Sequence, residues 1–370
     1  AAQLKGVGSL PAIPARRHYV ETGTLRWFDR EAMPASEARH LRRDAGGART
    51  GRFVLLLPSA ECSESKAMRV AADLSKQAST RDIVLYGVPH GRLDVLEQAA
   101  ELVALEHVAR TRPELEGDSV ARREIEGRLR QLRSDMTGLL ADAFASARWY
   151  FDGERFESDA SHGLSPLAST ICDRVFPQVP FIQSELVNRD VLSSNAAKAQ
   201  RQLLHRMLTH ADQPYLSYEG YPADAGLYYT ILVELGLHDR DGAHWGFVSP
   251  ERSKSAGATS LVPLWSATTR LLEEAGDSVS LYDLYDLWRA PPHGMKEGVM
   301  PILALAFLLV NRSRIAVYVQ ETFVPDLNEA GVDEWLQDPR RIKWKWMRVD
   351  ASTKLLLELS LIHISQGIVR

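Results

Sequence analysis

The sequence predicts a mainly α protein with small α/β and β elements. Three patterns support that fold class: long stretches with apolar residues three and four apart, an early strand–helix–strand run, and two short hairpins around turn residues. In chain order we expect a βαβ unit, a long helical hairpin, a helical middle region and a C-terminal winged-helix-like domain. The 370 residues exceed the usual size of one domain, so two or three domains are expected.

Composition and charge indicate a soluble protein of the cytoplasm. Hydrophobic residues make up 45% of the chain and its formal net charge is −4, which argues against a generally basic nucleic-acid binder. The two cysteines, Cys62 and Cys172, are too few for a disulfide framework or a thiolate metal cluster and fit a reducing compartment. The longest apolar run, residues 299–310, is about half of the ~20 residues that a membrane-spanning helix needs, so no membrane is expected.

The N-terminal region, residues 1–49, is predicted to form a strand or two around Tyr19, Val20 and Trp27, followed by an exposed basic segment over residues 39–52. The arginines of that segment are Arg39, Arg42, Arg43, Arg49 and Arg52.

Residues 50–160 are predicted to hold the βαβ unit, the helical hairpin and a β-hairpin. Residues 53–57 and 83–88 are apolar runs typical of buried parallel strands, and Ser63 can cap the helix between them. The turn after the first strand has no glycine and contains Glu61, so we expect no dinucleotide site there. Two long helices follow, and we expect His107 to pack on their seam. Asp152-Gly153 then marks the β-hairpin.

Residues 161–252 are predicted to form a helical domain, and residues 258–350 a winged-helix-like domain. The first has expected helices at 167–176, at 185–208 with a bend around 192–195, and at 223–237, then a turn at 239–243. The second has three helices, a hairpin around Gln320-Glu321, a further helix and a last strand, which is the order of a winged helix. Its third helix, 299–310, is apolar throughout and must be buried, so it cannot face a DNA duplex.

The sequence contains no phosphate loop, no dinucleotide fingerprint, no nucleophile elbow and no paired-histidine zinc motif. His205 and His210 lie five residues apart and do not share a helix face. His238 and His244 flank an acidic turn, for which a backbone role is the simpler interpretation. We therefore predict no catalytic, cofactor-binding or metal-ligating residue in this chain.

A basic stretch near the C-terminus is the main candidate for contact with nucleic acid. Its basic and aromatic residues are Arg340, Arg341, Lys343, Trp344, Lys345, Trp346 and Arg348. In a strand, the lysines and the tryptophans lie on opposite faces. An ordinary strand with its tryptophans in the core is the first interpretation, and an edge that stacks bases and binds phosphates is the alternative.

Six short stretches together resemble the region downstream of the ATPase module in large bacterial phage-defence proteins, the BREX-type P-loop ATPases. They are residues 171–177 (ICDRVFP), 184–189 (SELVNR), 192–197 (LSSNAA), 219–222 (EGYP), 289–294 (RAPPHG) and 322–325 (TFVP). The resemblance implies a multidomain ATPase whose ATP and Mg are bound outside this chain, since no phosphate loop is present here. It also implies that the partners are other domains of the parent protein and defence-system proteins, with DNA the less favoured partner.

The first hypothesis is therefore a non-catalytic scaffold and coupling region, in which Glu185, Asn188 and Arg189 form an interdomain contact. The alternative is a nucleic-acid-binding module that uses residues 39–52 and 340–348. A stand-alone enzyme of unfamiliar type is a third hypothesis and would need convergent polar residues in one pocket. Both ends are expected to be cut, and residues 359–370 are expected to be either a non-native tail or a final edge strand.

Overall fold

The computed structural model describes residues 10–41, 49–76, 83–90, 95–112, 117–158, 161–241 and 244–347. It is mainly helical, as the sequence predicts. The chain divides into two compact units: unit 1 comprises Ala1–Glu21 and Leu25–Pro177, and unit 2 comprises Thr22–Thr24 and Gln178–Arg370. The predicted division into four parts is finer and stays a prediction, and the suspected tail lies outside the described residues.

Unit 1 contains a six-stranded sheet in the order β1-β2-β3-β4-β5-β6. Its strands are β1 (Ile13–Pro14), β2 (Trp27–Pro34), β3 (Gly51–Leu57), β4 (Ile83–Val88), β5 (Arg148–Phe151) and β6 (Glu154–Glu157). β2, β3 and β4 are parallel neighbours, and the other pairs are antiparallel. The predicted βαβ unit is therefore present, and β5 and β6 pair around Asp152-Gly153 as predicted.

Apolar packing explains the centre of this sheet. Every residue of β4 is buried, as the apolar sequence predicts for a strand covered on both faces. Phe53 of β3 packs edge-on against Trp149 of β5, with ring centroids 4.9 Å apart. Gly87 makes room for that tryptophan, because a Cβ at residue 87 would lie 2.6 Å from its ring.

Unit 1 also has five helices among the described residues. They are α1 (Arg16–Thr22), α2 (Glu64–Ser75), α3 (Val95–Thr111), α4 (Ser119–Ser146) and α5 (Ser165–Val175). The predicted strand at Tyr19 and Val20 is wrong, because both residues lie in α1. There the helical spacing buries His18 and leaves Val20 69% exposed. Ser63 caps α2 by accepting from the Lys66 N–H, as predicted.

The long helices α3 and α4 differ in detail from the prediction. The buried residues of α3 include Ala99 and Leu102, whereas His107 is exposed, so its expected packing on a seam is wrong. Glu101 and Glu106 of α3 each pair with an arginine 27 residues later. In an antiparallel hairpin paired residue numbers move in opposite directions, so these bonds do not establish the predicted hairpin.

Unit 2 continues the helical pattern. Its described helices are α6 (Ser194–Thr209), α7 (Ala223–Leu227), a π-helix (Tyr228–Val233), α8 (Val262–Ala275), α9 (Leu281–Arg289), α10 (Met300–Val310) and α11 (Glu329–Gln337). Residues 185–193 form turns rather than the predicted first half of a bent helix, because Ser193 caps α6 and starts it afresh. The predicted turn at 239–243 includes a strand, β7 (His238–Asp241), paired with β8 (His244–Phe247).

The C-terminal part of unit 2 has a four-stranded sheet in the order β11-β10-β12-β9. These strands are β9 (Val279–Ser280), β10 (Ile315–Val319), β11 (Thr322–Val324) and β12 (Ile342–Trp346). Residues 300–308 of α10 are all buried, which confirms the expected burial of this apolar helix. In the described part of the chain, every helix is too short or too polar to cross a membrane.

Candidate functional site

Residues 184–192, which include the predicted contact residues Glu185, Asn188 and Arg189, are organised by the buried side chain of Asn188 in unit 2. Its Nδ2 lies 2.7 Å from the Gly23 carbonyl oxygen, 2.9 Å from the Ile182 carbonyl oxygen and 3.2 Å from Thr24 Oγ1. An amide nitrogen carries two hydrogens, so the Thr24 contact shares one of them. Gly23 has φ +73°, and a Cβ there would lie 2.1 Å from the Ile182 oxygen, so only glycine fits.

The same segment is bonded to the turn before α10. The Gly298 N–H donates to the Arg189 carbonyl oxygen over 2.9 Å, and Gln200 of α6 donates to the Gly298 carbonyl oxygen over 2.6 Å. A Cβ at Gly298 would lie 2.5 Å from the Val187 carbonyl oxygen, so the two stretches are in close contact. We call this group the Asn188 junction: Asn188, Arg189, Gln200 and Gly298.

The two charged residues of the predicted contact lie at the surface. Arg189 and Glu185 are both exposed, and the Arg189 guanidinium donates to the Glu185 carbonyl oxygen. Asn188 and Arg189 therefore stabilise a turn, rather than the helix bend that the sequence suggested. The interdomain role of all three residues stays a prediction.

The basic strand near the C-terminus is largely neutralised within unit 2. Lys343 Nζ lies 2.5 Å from Glu321, and Lys345 Nζ lies 3.5 Å from Asp277. Arg340 and Arg341 both lie within 4.0 Å of Asp338.

The tryptophans of that strand face inward, as the first interpretation expected. Trp344 is 1% exposed, and its ring is stacked on Phe307 with centroids 6.1 Å apart. Trp346 is partly buried and packs against the same core. Arg348 lies outside the described residues. Core packing therefore explains both tryptophans, and the predicted contact with nucleic acid stays a prediction.

Two arginines of the N-terminal basic segment are likewise paired with acids. Arg49 Nε lies 3.1 Å from Asp29, and Arg52 lies 3.8 Å from Glu31, so two acids of β2 balance them. Arg39 is exposed, and Arg42 and Arg43 lie outside the described residues.

Sequence reasoning missed a network of hydrogen bonds and ion pairs around the buried His18 and Arg26 in unit 1. His18 of α1 is fully buried, and its Nδ1 lies 2.8 Å from Asp173 Oδ1 of α5. Its Nε2 accepts from Arg26 Nε over 3.1 Å, and the Arg26 guanidinium lies 3.8 Å from the centroid of the Phe176 ring. Arg17 pairs with the same aspartate over 2.5 Å.

These contacts fix the protonation state of His18. Because Arg26 can only donate, Nε2 must be unprotonated, and Nδ1–H donates to Asp173. Burial lowers the pKa of His18; the bond to Asp173 opposes the shift, and Arg26 and Arg17 add to it. With both ring nitrogens occupied, His18 stabilises the packing of α1 rather than serving as a base.

A second missed feature is a strained turn in unit 2. Tyr215, Leu216 and Ser217 all have left-handed backbone angles, with φ of 54°, 51° and 56°. Such a conformation costs non-glycine residues roughly 1–2 kcal/mol each. Arg206 of α6 holds it by donating from Nη1 to the carbonyl oxygens of Leu216 and Ser217 over 3.1 and 3.2 Å.

Arg206 is itself held by a tyrosine and a carboxylate. Its guanidinium lies 4.4 Å from the centroid of the Tyr218 ring, and its Nε lies 3.8 Å from Asp224. The Tyr218 hydroxyl donates to Asp224 over 2.8 Å. Burial, and then the bond to Asp224, raise the pKa of Tyr218 well above its usual range. Tyr218 and Asp224 together form an internal binding site, which the guanidinium group of Arg206 occupies.

Aromatic residues continue from this turn along the π-helix. The buried Tyr228 hydroxyl lies 3.0 Å from His238 Nδ1, and His238 Nε2 lies 2.9 Å from the Ala211 carbonyl oxygen. Burial lowers the pKa of His238, and the neutral ring satisfies both partners. Five of the 11 tyrosines fall within residues 215–229, and that density is the sequence signal that could have marked the region.

Comparison of the chain with protein-family models, curated proteins and solved structures finds no match.

Proposed function

We propose that this chain is a non-catalytic scaffold and coupling region of a large multidomain ATP-binding protein in antiphage defence. The observation that supports it best is the Asn188 junction, in which one buried amide fixes three acceptors. The parent protein, with its bound ATP and Mg outside this chain, is taken from the resemblance. The partners would be other domains of that protein and the proteins of its defence system, in the cytoplasm.

Coupling through the junction would use the covalent path of the chain. Thr22–Thr24 belong to unit 2, whereas the residues before and after them belong to unit 1. Asn188 bonds to Gly23 and Thr24 of that short crossing. A displacement of residues 184–192 would therefore move the short stretch that joins α1 to β2. It would also move α6, through the bond between Gly298 and Gln200.

The finer assignments of the fold belong to the same proposal. The order α8, β9, α9, α10 and then the β10–β11 hairpin is that of a winged helix, although β12 lies between β10 and β9 in the sheet. The buried α10 leaves no reading helix, which supports a module that packs against protein. We also propose that α3 and α4 form a helical hairpin, which the sequence pattern supports.

The first test is to sequence the source locus upstream until the reading frame closes. We expect a phosphate loop and an acidic metal-binding strand end in the same frame. A start codon directly before Ala1 would contradict the proposal.

The second test uses the intact parent gene with Asn188→Ala. We expect ATP turnover and phage protection to fall about fivefold or more, the size of a typical coupling free energy. Asn195→Ala is the matched control, because Asn195 is exposed in the first turn of α6. Equal turnover and protection in the two variants would contradict coupling through Asn188.

Hydrogen exchange separates coupling from simple loss of stability. Asn188→Ala should speed amide exchange in α1 more than in α10, because α1 ends at the crossing that Asn188 holds. Equal acceleration in α1 and α10 would indicate a general destabilisation of the fold instead.

A further inference from the structure

In unit 2, the exposed Tyr221 lies beside Tyr229, a partly exposed residue of the π-helix. Tyr221 is 87% exposed and Tyr229 is partly exposed, with ring centroids 5.9 Å apart and planes inclined by 44°. Val233, four residues after Tyr229, is 38% exposed. We call Tyr221, Tyr229 and Val233 the tyrosine surface. Aromatic rings held in water at this spacing offer their π faces to a ligand.

The inner ring of this pair is held by the core. Tyr229 contacts the buried Tyr228 edge-on, with centroids 5.1 Å apart, and the Tyr228 hydroxyl is bonded to His238. A ring that is already positioned loses little side-chain entropy when a ligand binds.

The charges next to the tyrosine surface are negative. Glu219 lies two residues before Tyr221, and the Glu234 N–H donates to the Tyr229 carbonyl oxygen over 3.2 Å, which places Glu234 one π-helical turn further. Both glutamates are exposed. Within the described ranges, neither carboxylate is paired with a lysine or arginine. Acids at this rim would repel the phosphates of a nucleic acid and attract a cation.

The neighbouring turn shows which cation such a surface accepts. Arg206 lies over the Tyr218 ring beside Asp224, so this region already binds a guanidinium with a tyrosine face and a carboxylate. The tyrosine surface also combines tyrosine rings with neighbouring carboxylates, and its Tyr221 is 87% exposed. We propose that it binds arginine side chains in an extended basic segment of a partner protein, through cation–π contacts and the rim carboxylates.

Binding is tested with the full chain and a fluorescein-labelled Gly-Arg-Gly-Arg-Gly-Arg peptide. We expect this peptide to bind more tightly than its lysine counterpart, because guanidinium stacks on aromatic faces and ammonium does not. Tyr221→Ala should weaken binding by about fivefold, the loss of one exposed cation–π contact, whereas Tyr221→Phe should retain binding. Glu219→Gln should weaken binding at low salt and reduce its salt dependence.

Phe323→Ala is the matched control, because Phe323 is an aromatic residue of β11 that is 54% exposed. Thermal unfolding establishes that each variant is folded. The proposal is overturned if the arginine peptide does not bind, if oligothymidylate binds more tightly than it, or if Tyr221→Ala matches Phe323→Ala. Arginine binding by the tyrosine surface is a separate proposal from coupling through the Asn188 junction. Asn188→Ala should leave peptide binding unchanged, so either proposal can fail without the other.

Discussion

Among the described residues, an arginine, an aspartate and a histidine meet in one triplet in unit 1 and in another in unit 2. The triplets are Arg17, Asp173 and His18 in unit 1, and Arg201, Asp333 and His205 in unit 2. In both, the aspartate lies between the other two side chains and accepts from each. Their surroundings differ, and that difference decides what each triplet does.

In unit 1 the histidine is enclosed. The His18 side chain is 1% exposed, and the nitrogen that does not face Asp173 accepts from Arg26. A proton on that nitrogen would face another donor, so the ring is held neutral. This triplet therefore stabilises one conformation of α1 and resists protonation.

In unit 2 the histidine remains in contact with water. The His205 side chain is 21% exposed, and its second nitrogen lies 3.9 Å from a carboxylate oxygen of Glu329. A proton on that nitrogen would face an acid instead of a donor. Burial of the ring and the partner of its second nitrogen, rather than the composition of the triplet, therefore distinguish the two histidines.

The largest expected effect comes from His18→Phe. The buried Arg26 would lose the ring nitrogen that accepts from it, and Asp173 would lose a donor. We expect the free energy of unfolding to fall by about 3 kcal/mol, as when one partner of a buried charged contact is removed. Urea unfolding measures it. His205→Phe is the control and should cost less than about 1 kcal/mol. Equal losses would mean that burial does not distinguish the triplets.

The fold itself was predictable where local pattern decides it. The βαβ unit, both β-hairpins and the buried α10 follow from apolar runs and turn residues that lie close together in the chain. The face of α3 was not predictable, because alanines and leucines surround that helix. Its buried side includes Ala99 and Leu102, which the sequence does not distinguish from the other alanines and leucines.

The sites were less predictable, because their partners are remote in sequence. The amide of Asn188 reaches Gly23, 165 residues away, and His18 reaches Asp173, 155 residues away. The sequence marked residues 185–189 as polar and unusual, but it could not show what they bind. The left-handed turn at Tyr215 exists because Arg206 binds its carbonyl oxygens, which no propensity of the turn residues predicts.

A smaller effect is expected for Asp173→Asn. The amide keeps the shape and can still accept from His18, but it no longer offsets the charges of Arg17 and Arg26. We expect a loss of about 2 kcal/mol, the contribution of a hydrogen bond to a charged group. Chemical unfolding at pH 7.5 measures it, with Asp212→Asn on an exposed turn as the control. A loss no larger than that of the control would exclude a charge role for Asp173.

Acid should weaken the protein through His18. Burial holds the folded pKa of His18 below its ordinary value of 6.5, so the unfolded chain binds the proton more readily. This contribution to stability is complete above pH 6.5 and is lost as the pH falls towards the lowered folded pKa. His238 and His293, whose pKa values burial also lowers, add losses of the same sign.

The acid effect is isolated by comparing variants at pH 7.5 and 5.5. His18→Phe should lose less free energy of unfolding than the unaltered chain, by at most about 1.4 kcal/mol per pH unit, the value for one proton. If His18→Phe keeps the full loss, the proton is taken up elsewhere.

The smallest effect is expected for Asp333→Asn, which breaks the triplet of Arg201, Asp333 and His205 in unit 2. Arg201, and to a lesser degree His205, hold the pKa of Asp333 below its usual value, so its contribution is present at neutral pH and is lost only in strong acid. The arginine remains in water after the substitution, so we expect a loss of about 0.5 kcal/mol. In 0.5 M NaCl that loss should shrink, because salt screens exposed charges, whereas the part of the Asp173→Asn loss that comes from the buried His18 and Arg26 should persist. The loss of unfolding free energy for Asp333→Asn could instead equal that for Asp173→Asn and resist salt. In that case the two triplets would be energetically alike, and the partner of the second ring nitrogen would not distinguish them.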